Sequence, residues 1–506
     1  MGTFCSGTDC PIQVWENLLQ VLGEYGGGSS KCSMEHVFSC EQHAAKQRFL
    51  QSMYPSCKQM FGDVLPMSRG ACKNLEGCWV EPMPETDWIA AGFPCDDASC
   101  LNSRHRTEEH RLCVAKGGLR TGSVFQAICR YLENMQTECF IFENVSALSK
   151  PPLDAQRREV GPSNLSSVVH LLRACGRWTH VWQLNSTLFG SAQSRPRLWG
   201  VSFRLEDLAM DEACAHELLD ELMSHCAQVE CNVLDDYLLS EQDPILQAQR
   251  REALSSTEAG DGGLDIGRLF DSAGAVGTPP KSRVARKRLA NFGTTQPGKR
   301  SKPTAERNQG SPKWAAAHRE AFKKLDQDER QMVPNYMDPT NSLLSHYPVL
   351  GKLTQRQAEI LQLKGVHNLP EKRPRVIDLS QQLSFATLVE DRMPCITPSG
   401  AKMLTHRARF LHGIEAMRFQ GLEFDEHKLA CYSNRFLNDL AGNAFEGGSC
   451  SATSFACLVF LAINQQCSRR SRSGPQRMCS AGLPEDELEE VRAAGSSSSA
   501  FLDIFD

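Results

Sequence analysis

The sequence predicts an α/β fold built on a mostly parallel sheet, and two observations over residues 4–203 predict it. Short apolar runs alternate with longer stretches, the order expected of βαβ units, and the longer stretches carry apolar residues at helical spacing. Strands are expected at 36–41 (HVFSCE), 87–94 (DWIAAGFP), 139–145 (CFIFENV), 180–185 (HVWQLN) and 197–203 (RLWGVSF). Between them, 122–136 places Val124, Ile128 and Leu132 on one helical face, and 164–176 is a second helix that stops at Gly176.

Beyond Leu239 the composition changes. Residues 254–313 are rich in Ser, Gly, Thr, Pro and charge, too poor in apolar surface to offset the entropy of ordering, and are expected to be disordered. Two basic clusters lie inside this insert, Lys281–Arg288 and Lys299–Lys302, and fit either a two-part nuclear import signal or a solvated charge run. Order is expected to resume at PKWAAAHREAFKKL, to reach the turn-rich PCITPSG at 394–400, and to turn helical from 407–422 to 453–463. The implied division is a catalytic first part at 1–205, a variable region at 206–404, a return at 405–466 and a disordered tail at 467–506.

Of the 506 residues 41% are hydrophobic and 23% charged, ordinary values for a soluble globular chain. The net charge of -5 confines any polyanion-binding surface to a local patch. No leader with a basic region and an apolar core opens the chain, and no run is expected to cross a bilayer, so no membrane partner is predicted. The 22 cysteines are then best read as reduced thiols of the cytosol or nucleus. They include no C-x-x-C pair, so no metal site is predicted.

Cys95 stands apart from the other cysteines. It follows an apolar strand and a Phe93-Pro94 collar, and precedes a loop of acidic and small residues. A thiol of ordinary pKa near ~8.5 is a few per cent thiolate at neutral pH, so a turn at a parallel strand end facing helix N-termini would help a nucleophile. That strand end is also where ligands bind in open α/β sheets. FENV puts Glu143 and Asn144 at the same edge, where an acid could protonate a ring nitrogen. QSRPRLW puts Arg195 and Arg197 two apart, able to project to one face and to meet an anion.

GFPC, FENV, QSRPR and the later LAGNAF, in that order, resemble the motifs of the DNA cytosine-5 methyltransferase family. The resemblance covers roughly 4–205 and 405–463 and implies a Rossmann-like domain that binds S-adenosyl-L-methionine, with a smaller target-recognition domain between. It implies that FCSGTDCP is the cofactor loop, with Phe4 and Gly7 at the matching places, Glu41 on the ribose hydroxyls and Asp63 on the adenine. It also implies that Asn443, with Ala444 beside it, closes the methionine side and that Pro94 lines the same pocket. Glu41 and Asp63 read alone are equally surface acids or caps.

For the chemistry, the resemblance implies a flipped-out cytosine, attack by Cys95 on C6, Glu143 at N3, a loop braced by Asn144, and Arg195 and Arg197 orienting the base or the backbone near Cys95. Double-stranded DNA is the implied partner, the nucleus the implied location and a monomer the expected state. An RNA-acting member of the family and a catalytically silent nucleic-acid-binding module are the alternatives. Four departures stand out: Ser-Gly-Thr-Asp where a second glycine is usual, Asp96 in place of glutamine, AFEGGS in place of a Val-Pro-Pro continuation, and only Met1–Thr3 ahead of Phe4. A strand usually needs ~5 residues, so a missing N-terminal piece is expected. The stretch 407–422 is expected to be a packing helix, with Arg407 and Arg418 as distant candidates for phosphate contacts.

Overall fold

A computed structural model describes residues 1–25, 33–258 apart from 101, 103, 105, 106, 152–155, 157 and 160, then 313–333, 335, 347 and 350–473. Both basic clusters, and the tail after 473, lie outside the described residues.

Seven strands form the main sheet: β1 (Gly2–Phe4), β2 (Phe38–Cys40), β3 (Gln59–Phe61), β4 (Trp88–Ala91), β5 (Cys139–Val145), β6 (Arg177–Asn185) and β7 (Pro196–Arg204). Their spatial order is β3-β2-β1-β4-β5-β7-β6, parallel throughout except for β7, which runs antiparallel to both neighbours. This is a Rossmann-like α/β sheet. The short β1 holds because it is flanked on both sides, Phe4 pairing with Cys40 and with Ala91. The sequence pattern missed β3, whose three residues carry no alternation long enough to mark a strand.

The period of two along each strand divides the core between the two faces. Ala90, Ile141, Trp199 and Val201 join one apolar cluster, while Ile89, Ala91, Phe140, Phe142 and Leu198 join the other. Both faces are covered, which is why β5 reads as the nearly unbroken apolar run CFIF. Helices α1 (Cys10–Tyr25), α5 (Glu212–Cys226) and α7 (Gly447–Ser473) pack together on one side. Helices α3 (Leu119–Met135) and α4 (Asn164–Ala174) lie on the other, with α2 (Ala44–Met53) between β2 and β3 in the chain. The packing on the main sheet therefore continues past Leu205 through Leu219, Leu222, Leu234 and Leu239.

Three sequence expectations change. A helix, Pro244–Glu258, runs into the stretch expected to be disordered from 254, and α7 continues to Ser473, past the expected tail boundary at 467. The stretch 407–422 is a strand, Arg409–Phe410, followed by a helix of only six residues, Gly413–Arg418, begun by the cap of His412 with Glu415. The segment Asn434–Arg469 does contain a window of mean hydropathy 1.4, long and apolar enough to cross a bilayer, but 67% of that window is buried in the protein.

A second sheet is antiparallel: β8 (Arg375–Asp378), β9 (Leu388–Glu390), β10 (Lys402–Leu404) and β11 (Arg409–Phe410), in the order β9-β8-β10-β11. It has its own core of Leu350, Ile360, Leu361, Val366, Ile377 and Met403. It joins the main sheet through residues 393–398. Met393 and Pro394 pair in parallel with Gln193 and Ser194, and Ile396 N donates to Gln193 Oε1 at 2.9 Å.

Candidate active site

The main sheet reverses its winding between β1 and β4, so the loops leaving these two strands open the crevice where open α/β sheets bind ligands. Cys95 sits in the loop after β4. Phe93 anchors that loop from below, its ring 4.9 Å from Phe125 and 6.2 Å from Phe142. Asn144, at the end of β5, donates from Nδ2 to Phe93 O at 3.0 Å, while its Oδ1 accepts from Val145 N at 2.9 Å. Past the turn, Cys95 O accepts from Ala98 N and Ser99 N at 3.1 and 2.9 Å, so the chain curls immediately behind the sulfur.

Cys95 is half-buried, and burial, followed by the charges of Glu143 and Asp96, pushes its thiol up to about 11 against the opposing pull of Arg197 and Arg195. The expected help toward the thiolate is thus reversed. Two carboxylates and lost hydration outweigh two guanidinium groups, and the thiol holds its proton at neutral pH.

The β5–β7 register explains how Glu143 meets Arg197. Arg197 lies opposite Val145, so it is the diagonal neighbour of Glu143 on the same face, and its Nε stands 2.9 Å from Glu143 Oε1. The approach is a charge contact and not an aligned hydrogen bond, so Oε1 is buried without a hydrogen-bond partner. Arg197 Nη1 donates to Pro196 O at 2.8 Å.

Arg195 is committed elsewhere. Its Nη1 donates to Ile396 O at 2.8 Å, and Nη2 donates to Ala444 O and Gly442 O at 2.7 and 3.3 Å. It fastens the segment 393–398 to the end of α6 (Asn434–Asn443). Gly442 is needed at that junction, because a Cβ there would stand 2.1 Å from Pro398 N. Both arginines do project to one side, as two-residue spacing predicts, but the sulfur they share is that of Cys395, 3.5 Å from Arg197 Nη2 and 3.8 Å from Arg195 Nη1. Cys395 escaped sequence reasoning. It lies in PCITPSG, which reads locally as a turn, and nothing local links it to a motif 198 residues earlier.

On the cofactor side, Gly7 adopts φ +56 and donates its N–H to Glu41 Oε2 at 3.0 Å; a second Glu41 oxygen accepts from His43 N at 2.8 Å. Only Cys5 O, at 3.8 Å, would meet a Cβ at Gly7, so the space above this loop is open and the glycine is needed for its backbone. Asp63 caps the short helix Val64–Met67 by accepting from Leu65 N at 3.0 Å. Phe4 is 1% exposed, its ring packed on Phe38 and Tyr131, so it supports the loop from the core. Asn443 is exposed and donates to Asp439 O at 2.8 Å, and Ala444 is buried beside Arg195. Pro94 is half-buried in the loop before the sulfur. A carboxylate at the end of β2, another after β3 and a glycine loop after β1 form a donor set that fits an adenosine with a charged amino-acid tail. Among the described residues no group of three or more His, Cys, Asp or Glu side chains could hold a metal ion.

A profile of C-5 cytosine-specific DNA methylases matches residues 21–256. Residues 21–256, a little under half of the chain, are thus similar to the C-5 cytosine-specific DNA methylases. It is 26% identical over 145 residues to the DNA (cytosine-5-)-methyltransferase DMT5 of Cryptococcus neoformans, a match covering 29% of this chain and 6% of that protein. It is 27% identical over 165 residues to the type II methyltransferase M.NgoBV of Neisseria gonorrhoeae, covering 33% of this chain and 34% of the relative. The chain thus spans about a third or less of the curated relatives it matches. The Dnmt2 methyltransferase of S. pombe aligns with a TM-score of 0.38 at 12% identity over 90% of this chain and 97% of that one, and adds nothing to the sheet order.

Each departure from the methylase family's pattern has a structural counterpart. Asp9, where a second glycine is usual, adopts φ +51 and is fully buried. Its carboxylate accepts from Thr3 Oγ1 at 2.7 Å and Ser39 Oγ at 2.5 Å, with His36 Nε2 at 3.7 Å, and burial pushes it up to about 7. Glu446, in place of the methylases' Val-Pro-Pro, accepts from Gly448 N, Ser449 N and Ser449 Oγ and thereby caps α7. Asp96 is exposed and pairs with Arg120 at 3.3 Å.

Proposed function

We propose that the protein is a DNA cytosine-5 methyltransferase that uses S-adenosyl-L-methionine, acts on a flipped-out cytosine of duplex DNA through Cys95, and works in the nucleus. The observation that carries this reading is the pairing of a shielded thiol with a buried carboxylate oxygen that has no hydrogen-bond partner, both at the strand-end crevice. Glu143 Oε1 is balanced in charge by Arg197 but still lacks an aligned donor, which a protonated ring nitrogen or an exocyclic amine of cytosine would supply.

The roles are those the resemblance implies, and the geometry supports them. Extruding the base costs roughly a few kcal/mol, least where pairing is already weak. As the base arrives, Cys95 gives its proton to the neighbouring Glu143 carboxylate, and its sulfur bonds to C6. Glu143 passes that proton to N3 as the ring electron pair moves toward C5, and Arg197 holds the glutamate in place. S-adenosyl-L-methionine, when bound, would supply an electrophilic methyl group, and Gly7, Glu41 and Asp63 are the residues that would hold it. Transfer of the C5 proton to a solvent base then expels the Cys95 thiolate from C6 and releases 5-methylcytosine. Asn144 keeps the nucleophile loop seated throughout.

The test is transfer of labelled methyl from S-adenosyl-L-methionine to duplex DNA or transfer RNA by wild type and Cys95→Ser. Label on the duplex that the variant loses, with a covalent adduct to a 5-fluorocytosine duplex, is the expected result. Label only on RNA assigns the RNA-acting alternative, and DNA binding without label assigns a silent module.

A further inference from the structure

Cys395 lies where the segment from the small sheet crosses the catalytic strand. Its sulfur accepts from Arg197 Nη2 at 3.5 Å and from Arg195 Nη1 at 3.8 Å, and faces Ile396 O at 3.7 Å. Arg195 cannot swing away, since three backbone carbonyls hold its guanidinium. Arg197 is different: half-buried, it is held on one side by Pro196 O, on another by Glu143, and on its outer nitrogen by this sulfur.

The charged groups around Cys395 come from each packed element. Arg195 and Arg197 come from the 193–204 stretch, and Lys402 from β10. Lys402 is itself paired with Asp378 of β8, and Arg197 with Glu143 of β5, while Cys95 stands within electrostatic reach of Arg197. Burial pushes the Cys395 thiol up, but the three cations outweigh it and the net shift is downward, opposite to that of Cys95. A guanidinium fixed at Nε, Nη1 and Nη2 has one orientation, whereas one released at Nη2 can rock about its Nε–Nη1 edge.

We propose that Cys395 is a positioning residue for Arg197: its sulfur holds the outer guanidinium nitrogen so that Nε faces Glu143, and the seating of segment 393–396 thereby sets the arginine–glutamate pair beside the nucleophile. The small sheet then acts on the chemistry itself. Its docking completes the catalytic pair, so a misplaced lobe slows the chemistry. The proposal rests on the methyl-transfer reading above.

The test compares full-length wild type, Cys395→Ser, Cys395→Ala and Cys395→Asp in methyl transfer from labelled S-adenosyl-L-methionine to duplex DNA between pH 5.5 and 9. Displacing a catalytic group by an ångström costs up to ~100-fold, so the Ser and Ala variants are expected to lose about tenfold or more in kcat with the KM for S-adenosyl-L-methionine unchanged. Cys395→Asp, which supplies an acceptor for Arg197 Nη2, is expected to recover most of the rate and to extend it to lower pH. Wild-type rates in Cys395→Ser, or an Asp variant no faster than Ala while all variants melt with the wild type, overturn the proposal alone. A wild type that labels neither DNA nor RNA overturns the methyl-transfer reading and this proposal with it. Should the variants unfold, the wild type still decides: iodoacetamide labelling of Cys395, followed by peptide mass, is expected to have a pH midpoint below that of free cysteine. A midpoint at or above it overturns the proposal.

Discussion

The two sheets of this protein contribute to one site in different ways. In the main sheet, parallel strands buried on both faces bring their carboxyl ends to one edge, and Gly7, Glu41, Asp63, Cys95 and Glu143 each lie at or just past a strand end. The small antiparallel sheet, with its separate core, sends in one segment, 393–398, and that segment meets Arg195 from 201 residues away in the chain. Reactive groups are local to strand ends, whereas their alignment depends on a distant lobe. Arg195 and Arg197 embody the contrast, one joining the lobe to the main sheet and the other holding the carboxylate.

The largest effect lies on the main-sheet side. Cys95→Ser is expected to lower methyl transfer by roughly 10³-fold or more, as removal of a covalent nucleophile does, without moving the melting temperature. Below its pKa of about 11, the alkylation rate of Cys95 should rise about tenfold per pH unit. A rate flat through neutral pH would mean that the carboxylates do not dominate this thiol.

The two arginines test the contrast directly. Arg195→Ala removes the guanidinium donors from three carbonyls and is expected to cost about 3 kcal/mol of stability, read as a fall in melting temperature. Arg197→Ala should change the melting temperature far less and lower kcat by about tenfold to a hundredfold. If the stability and rate effects were exchanged, the assignment of the two arginines to joint and site would be wrong.

How much of this was legible follows the same division. The strand at 139–145 was readable to the residue, because a strand buried on both faces writes its apolar run into the sequence and its motif falls at its end. The strands at 177–185 and 196–204 were placed within a few residues. Strand β3 was not, since three residues show no period. The small sheet was not legible either: its strands are two to four residues long and its partners are far apart in sequence. Two-residue spacing foresaw that Arg195 and Arg197 share a side, but which carbonyls capture Arg195 is a long-range packing fact that no local pattern encodes.

A smaller perturbation probes the joint itself. Gly442→Ala would press a methyl into the Pro398 backbone, which belongs to a paired segment and cannot yield as a side-chain tip can. Overpacking of this kind costs about 1–3 kcal/mol. A drop in kcat larger than the stability loss explains would show that the joint transmits to the site; a drop in melting temperature alone would confine it to structure.

The smallest expected effect concerns the loop where Asp9 replaces a glycine. Its folded pKa of about 7 lies above the ~3.9 of an unfolded aspartate, so the folded state holds the proton more tightly. The associated stability is therefore full below about pH 4 and lost as pH rises through 7, after which it stays flat. Thr3 and Ser39 oppose the loss by donating to the carboxylate. Asp9→Asn removes the ionisation while keeping an acceptor for one of these hydroxyls, so the variant should melt at a temperature that no longer falls between pH 5 and 8, and should gain on the wild type at pH 8. Gly7, two residues away, shapes the loop that Asp9 supports, so the same pH dependence should emerge, weakly, in the affinity for S-adenosyl-L-methionine. A wild-type melting temperature that rises from pH 5 to 8, with Asp9→Asn abolishing the rise, would mean that the hydroxyl and histidine contacts outweigh burial at this carboxylate.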